Sequence, residues 1–211
     1  MAVSVLDGMT IDRNSVFRGA ARAVYAASTK TFPTKIEDVI DPSSYELASG
    51  WSDLGATNDD GFTLRRSVEV FDGITIDQLK TKLDEGEPES WMMESECTLM
   101  DTSLDKMAIV WQGGTIETIT AGAGTVAQHA LPLDAPASFT SRRFAYIQQD
   151  EKTGRIRVFV FRDVIPQVDG SDLKMSGKEG SPLPAKFKIK RDTSIALNSG
   201  QFGKVFQEDV S

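Results

Sequence analysis

Apolar and polar residues alternate one by one along much of the chain, and that rhythm predicts an antiparallel β protein with one wet face per strand. Across residues 62–71, Phe62, Leu64, Val68 and Val70 share one face, and Thr63, Arg65, Ser67 and Glu69 share the other. Residues 91–100 repeat the pattern, with Trp91, Met93, Cys97 and Leu99 opposing Met92, Glu94, Glu96 and Thr98. Phe187 and Ile189 alternate with Lys186, Lys188 and Lys190. Residues 155–165 differ, because Val158 and Val160 oppose Phe159 and Phe161. A strand apolar on both faces belongs at the centre of the core.

Residues 139–149 and 155–164 flank a short polar segment ending in Gly154, which predicts a hairpin whose glycine supplies the positive φ. The small residues of 20–27 predict a strand that a neighbour can approach closely. One helix is expected. Thr102-Ser103-Leu104-Asp105 places a hydroxyl and an acid where orphan backbone N–H groups need acceptors. Leu104, Met107, Ala108 and Trp111 then recur at helical spacing, and Gly113-Gly114 ends the run. A weaker helical turn is expected in 77–83, and an acidic loop over 84–90. The expected fold is therefore mainly β: an antiparallel β-sandwich or barrel carrying one packed α-helix, with long loops and terminal arms.

Three stretches fit a compact domain poorly. Residues 31–60 are punctuated by Pro33, Pro42 and Gly50, and 77–90 form a connection much longer than a tight turn. Residues 196–211 form a tail that still holds Phe202, Val205 and Phe206, so it docks either on another subunit or on its own domain. The expected organisation is an N-terminal arm (1–18), a β domain (19–195) and a C-terminal arm (196–211). Leu79, Leu83, Trp51, Phe202 and Phe206 are the candidates for an assembly interface.

Composition supports a soluble globular reading: 40% of the 211 residues are apolar and 26% charged. No stretch approaches the roughly 20 apolar residues of a membrane helix. Residues 1–9 lack the basic start and apolar run of a secretory signal. The net charge of −8 is unevenly spread. Residues 51–110 carry fourteen acids against five bases, and 111–211 carry eleven against thirteen. A nucleic-acid reader shows the opposite sign and a basic, aromatic-laced patch. The nearest equivalent, Lys186, Lys188, Lys190 and Arg191, reads as the solvated face of a strand.

Catalytic chemistry finds little material. His129 and Cys97 are the single histidine and single cysteine, so zinc sites of nitrogen and sulfur ligands cannot be built. His129 has no acidic neighbour in sequence to make it a base. Gly122-Ala123-Gly124-Thr125-Val126-Ala127 mimics a dinucleotide-binding glycine motif. That motif needs a helix after the glycines, and Pro132 and Pro136 forbid a long one. The acids Asp84, Glu85, Glu87, Glu89, Glu94 and Glu96 lack calcium-loop spacing. No catalytic, cofactor-binding or metal site is expected, and no enzyme.

The order of features resembles a known family. The small-residue strand leads through Thr31-Phe32-Pro33 to Gly50-Trp51-Ser52-Asp53-Leu54-Gly55-Ala56-Thr57-Asn58-Asp59-Asp60-Gly61. This is similar to the corresponding segment of siphophage major tail-tube proteins, especially those of actinobacterial phages. The long 77–90 connection, the strand ending in a capped helix, and the later runs Arg157-Val158-Phe159-Val160-Phe161-Arg162, Leu173-Lys174-Met175-Ser176-Gly177-Lys178 and Phe187-Lys188-Ile189-Lys190-Arg191-Asp192 follow in that family's order. The resemblance spans about residues 19–195 and rests on the sequence of motifs more than on any one.

The resemblance implies a virion structural protein, assembled in the host bacterial cytoplasm. Its subunits form hexameric rings, stacked head to tail into a tail tube through which phage DNA passes without specific binding. Tape-measure, tail-terminator and tail-tip proteins are the implied partners, with no cofactor and no membrane. A DNA conduit should repel phosphates, which makes Glu69, Glu94 and Glu96 the lumen candidates, with an ordinary outer wet face as the other reading. The alternative function is a virion accessory or distal-tail β domain that binds a host-surface glycan, with Trp51 or Tyr45 as its platform.

Overall fold

The computed structural model describes residues 21–70, 75–76, 81–82, 88–112, 114–122, 124, 126–134, 136, 138–151, 153–167, 182–196 and 199–209. For 68–70, 75–76, 81–82 and 88–90 it describes the backbone. The strands run β1 (Ala21–Ala27), β2 (Trp51–Val70), β3 (Thr75–Ile76), β4 (Thr81–Lys82) and β5 (Pro88–Leu99). Helix α1 (Leu104–Trp111) precedes β6 (Glu117–Ile119), β7 (Gln128–Ala130), β8 (Arg142–Gln149), β9 (Ile156–Pro166), β10 (Leu183–Lys190) and β11 (Gly203–Gln207). The proposed N-terminal arm lies outside the described residues, as do Leu79 and Leu83.

All pairings in the main sheet are antiparallel, in the order β10-β5-β2-β1-β8-β9-β11. β10 also pairs with β9, through Phe187↔Pro166 to Lys190↔Asp163. The six strands from β10 round to β9 therefore close into a barrel, which removes most of the sheet's free edge. β11 adds to the other half of the same β9 edge, from Gly203↔Phe161 to Gln207↔Arg157. The fold is mainly β with one α-helix among the described residues, as the alternation predicts.

Alternation sorts the side chains into two cores. Inside the barrel lie Ala21, Ala23, Leu54, Cys97, Leu99, Phe144, Tyr146, Phe161, Leu183, Ala185, Phe187 and Ile189, with Val110 of α1. Tyr146 is fully buried and stacks on Phe62, ring centroids 4.2 Å apart. Its hydroxyl lies 3.2 Å from Ser95 Oγ and donates to Cys97 Sγ at 3.6 Å, so the polar tip of a buried ring is satisfied. The second core lies on the opposite face of β1, β8 and β9: Val24, Ala26, Ala145, Ile147, Ile156, Val158 and Val160. Val158 and Val160 thus face one core while Phe161 and Phe159 face the other, as expected for a strand covered on both sides. Gly154 closes the β8–β9 hairpin at φ +73°.

Several expectations are corrected. Residues 31–60 are ordered. Ile36, Val39, Ile40 and Trp51 seal the second core, through a single 3-10 turn at Ile36–Asp38 and a bridge from Ile40 to Leu47. Residues 51–60 belong to β2. The glycines and the Asn58-Asp59-Asp60 run hide that alternation, and the β2–β5 register breaks between Thr57 and Phe62. The expected helical turn in 77–83 gives way, where it is described, to a strand pair, Thr75↔Lys82 and Ile76↔Thr81. The acidic loop ends earlier than expected, since Pro88 already pairs with Val70.

Helix α1 starts at Ser103 as the N-cap, but the side-chain acceptor is Asp101 Oδ1, which takes the Ser103 N–H at 2.9 Å. It ends on Gln112 in the left-handed region, φ +51°, one residue before the first glycine. Val110 is its buried residue, with Met107, Ile109 and Trp111 packed beside it, so the apolar face is rotated from the one expected. Lys106 Nζ donates to the Asp53 carbonyl and ties the helix to β2. The C-terminal segment is no free arm. β11 completes the sheet, and Glu208 extends the pairing by exchanging bonds with the Ile156 backbone, its own N–H donating at 3.0 Å and its Oε2 accepting at 2.7 Å.

Candidate assembly surfaces

Two of the three lumen candidates lie on the outer face of β5. Ser95 and Cys97 point into the barrel, so Glu94 and Glu96 point away from it. On one side Glu94 stands opposite Arg65 and Glu96 opposite Thr63. On the other side Glu94 stands opposite Lys188 and Glu96 opposite Lys186. Glu96 makes ion pairs with Arg65 at 3.6 Å and with Lys186 at 3.7 Å. The expectation of an acidic strand face is corrected here: two carboxylates and three cations form stripes of alternating sign. Pairs this exposed contribute at most about 1 kcal/mol each, so the stripe sets charge pattern more than stability. The third candidate, Glu69, pairs through its backbone with Ser90.

The β2–β5 hairpin outruns the barrel. β10 stops pairing with β5 at Ile189↔Met93, yet the β2–β5 ladder continues from Ser67↔Met92 to Val70↔Pro88, and β3–β4 pair beyond it. Met92 is 39% exposed on this arm, and the Arg66 guanidinium sits 4.2 Å over the Trp91 ring. Both are features of a surface that is neither fully wet nor covered.

A second arm lies between α1 and β8. Gln112 and Thr140 close its base reciprocally: Gln112 Nε2 donates to the Thr140 carbonyl at 2.9 Å, and the Thr140 N–H donates to Gln112 Oε1 at 2.6 Å. Within it β6 and β7 pair only with each other. Ile119, Val126 and Leu133 are exposed, Leu133 to 74%, and Phe139 is exposed at the base. These apolar residues follow neither the alternation of a strand nor the i, i+3, i+4 recurrence of a helix, so nothing in their spacing marks them as a surface.

The aromatic candidates divide. Trp51 is buried and its Nε1 donates to the Asp38 carbonyl at 2.9 Å, which makes it a core residue and unfits it as a glycan platform or a free interface contact. Phe202 packs against the barrel core and Phe206 against the second core. Of the two routes open for the tail, docking on its own domain is the one observed. Val205, between them, is 57% exposed on the edge strand. Tyr45 is exposed, adopts φ +58°, and its hydroxyl accepts from Gln149 Nε2 at 2.8 Å.

The residues considered for chemistry stay apart. His129 is exposed on β7, its Nδ1 3.4 Å from Thr118 Oγ1. Cys97 is buried among apolar groups, and that burial pushes its thiol up to about 11, where it is a poor nucleophile at neutral pH. Among the described residues no three His, Cys, Asp or Glu side chains converge as metal ligands. Gly122, Gly124, Val126 and Ala127 lie in the β6–β7 connection, with no helix at their end to hold a pyrophosphate. No helix among the described residues is long and apolar enough to cross a membrane. No protein-family model matches the chain, and no curated protein matches it.

Proposed function

We propose that the chain is a structural virion subunit: a tail-tube protein of a siphovirus-type bacteriophage that self-assembles into hexameric rings, stacked head to tail around a channel for DNA. The motif order along the sequence supplies the family. The β2–β5 arm carries the assembly part of the reading. A two-stranded ribbon standing clear of its sheet is marginal in water, and its edges offer unpaired N–H and C=O groups to another chain. A neighbouring copy would cover both. An arm received by a different surface of that copy makes a heterologous contact, which propagates without closing, as a stacked tube requires.

Removing residues 81–87 deletes β4 and the segment that leads into β5, and leaves every barrel strand intact. The expected product folds with wild-type circular dichroism and fails to form tubes. Normal tubes from that protein would take the arm out of the assembly mechanism.

A further inference from the structure

We propose that the cleft beside the β8–β9 register break is an oxyanion-binding site built on Arg143, Arg162 and Arg191. The cleft has a volume of about 350 Å³. The β8–β9 ladder passes from Arg142↔Val164 to Phe144↔Phe161, so Arg143 stands against the bulge that contains Arg162 and Asp163. β10 brings Lys190 opposite Asp163, and Arg191 and Asp192 follow at once. Three guanidinium groups thereby line one small cleft.

Two of the arginines are held by neutral groups. Arg162 Nε donates to the Gly200 carbonyl at 2.8 Å, and its guanidinium lies 3.8 Å over the Phe32 ring. Arg191 Nε donates to Gln201 Oε1 at 2.6 Å. Arg143 Nε and Nη1 are buried and have no acceptor. The two aspartates of the cleft are engaged locally. Asp163 accepts from Ser141 Oγ, and Asp192 Oδ1 accepts from the Ser194 N–H at 3.0 Å and from its hydroxyl at 2.6 Å. Three cations against two carboxylates leave one positive charge over.

A buried guanidinium N–H without an acceptor is costly. Burial, with the neighbouring Arg162 next in effect, lowers the Arg143 pKa from its ordinary value, and Asp192 and Asp163 offset only part of that. Planar, forked donors recognise carboxylate or phosphate oxygens two at a time. The chemistry is shared by two sources: a free phosphate-like anion, or an acidic side chain of a second copy of this chain, which carries 31 Asp and Glu. The site does not depend on the tail-tube reading.

The test is titration with inorganic phosphate, followed by the arginine Nε–H resonances and by calorimetry, on the wild type, Arg143→Gln and Arg191→Gln. Arg191 is exposed, so its variant keeps the test valid should Arg143→Gln fold poorly. Saturable binding weakened by roughly tenfold or more in either variant is expected, the scale of one lost charge-assisted bond. Sedimentation in the same series separates the sources. Self-association that phosphate displaces and Arg191→Gln weakens identifies a carboxylate of a second copy, and phosphate binding without any such effect identifies a free anion. No saturable phosphate binding, together with self-association indifferent to both, would overturn the proposal.

Discussion

Lys186 holds its Nζ 3.7 Å from Glu96 Oε1 across the β10–β5 pair, on the outer face of the barrel. With Arg65 on the other side of Glu96, the carboxylate is flanked by cations from both neighbouring strands. If this face lines a DNA channel, the carboxylates restrain the lysines and arginine from gripping phosphates. At a Debye length of roughly 8 Å in physiological salt, only charges close to the DNA matter, and each ring repeats them.

Replacing Glu94 and Glu96 together with Lys converts the stripe to an unbroken basic face. Folding and assembly should persist, since exposed pairs contribute little. DNA ejection from mutant virions should slow or stall, most strongly at low salt. Unchanged ejection across a salt series would place both residues outside the channel, and failed assembly would place them in an interface.

The β11 edge makes its own prediction. Gly203 lies so close to β9 that a β-carbon there would overlap the Val160 carbonyl oxygen. Gly203→Ala should push the strand off β9, loosen Phe202 and Phe206 from the two cores, and cost on the order of 1–3 kcal/mol. Denaturant midpoints with amide exchange at Val160 and Arg162, whose N–H groups face β11, measure both effects. A variant as stable and as protected as wild type would mean that β11 is not seated as described.

Tyr146 and Cys97 predict an alkaline limit to stability. Burial raises the Tyr146 phenol well above 10 and the Cys97 thiol to about 11. Both groups keep their protons longer when folded than when unfolded. Their contribution is therefore complete below the unfolded Cys value of 9.0 and declines as pH rises through the folded values. Unfolding free energy should be flat from pH 7 to 9 on account of these groups and fall above it. In Tyr146→Phe the fall should be shallower, with a loss of about 1 kcal/mol at neutral pH from the missing hydroxyl bond. An alkaline limb identical in the variant would exclude Tyr146 as its source.

Much of this was legible because a strand's period leaves a local record. Cys97 and Leu99 against Glu94 and Glu96, or Val158 and Val160 against Phe159 and Phe161, declare their faces within a few residues. The first half of β2 did not, because Gly55, Gly61 and the polar run Thr57-Asn58-Asp59-Asp60 between them interrupt the period where the strand changes partners. Trp51 was misjudged for a related reason: in a stretch with no rhythm, nothing local shows that a tryptophan seals a second core. The arginine cleft was invisible, since Arg143, Arg162 and Arg191 meet only through a bulge and a strand crossing. The exposed face of Glu94 and Glu96 was legible, but its lysine neighbours belong to a strand almost a hundred residues away and reverse its charge character.

Self-assembly is the central property, and negative-stain microscopy of the concentrated purified protein tests it most directly. Rings and hollow tubes of uniform diameter are expected, lost when residues 81–87 are removed. Particles of single-subunit size at every concentration, in a protein with an intact circular dichroism spectrum, would contradict it.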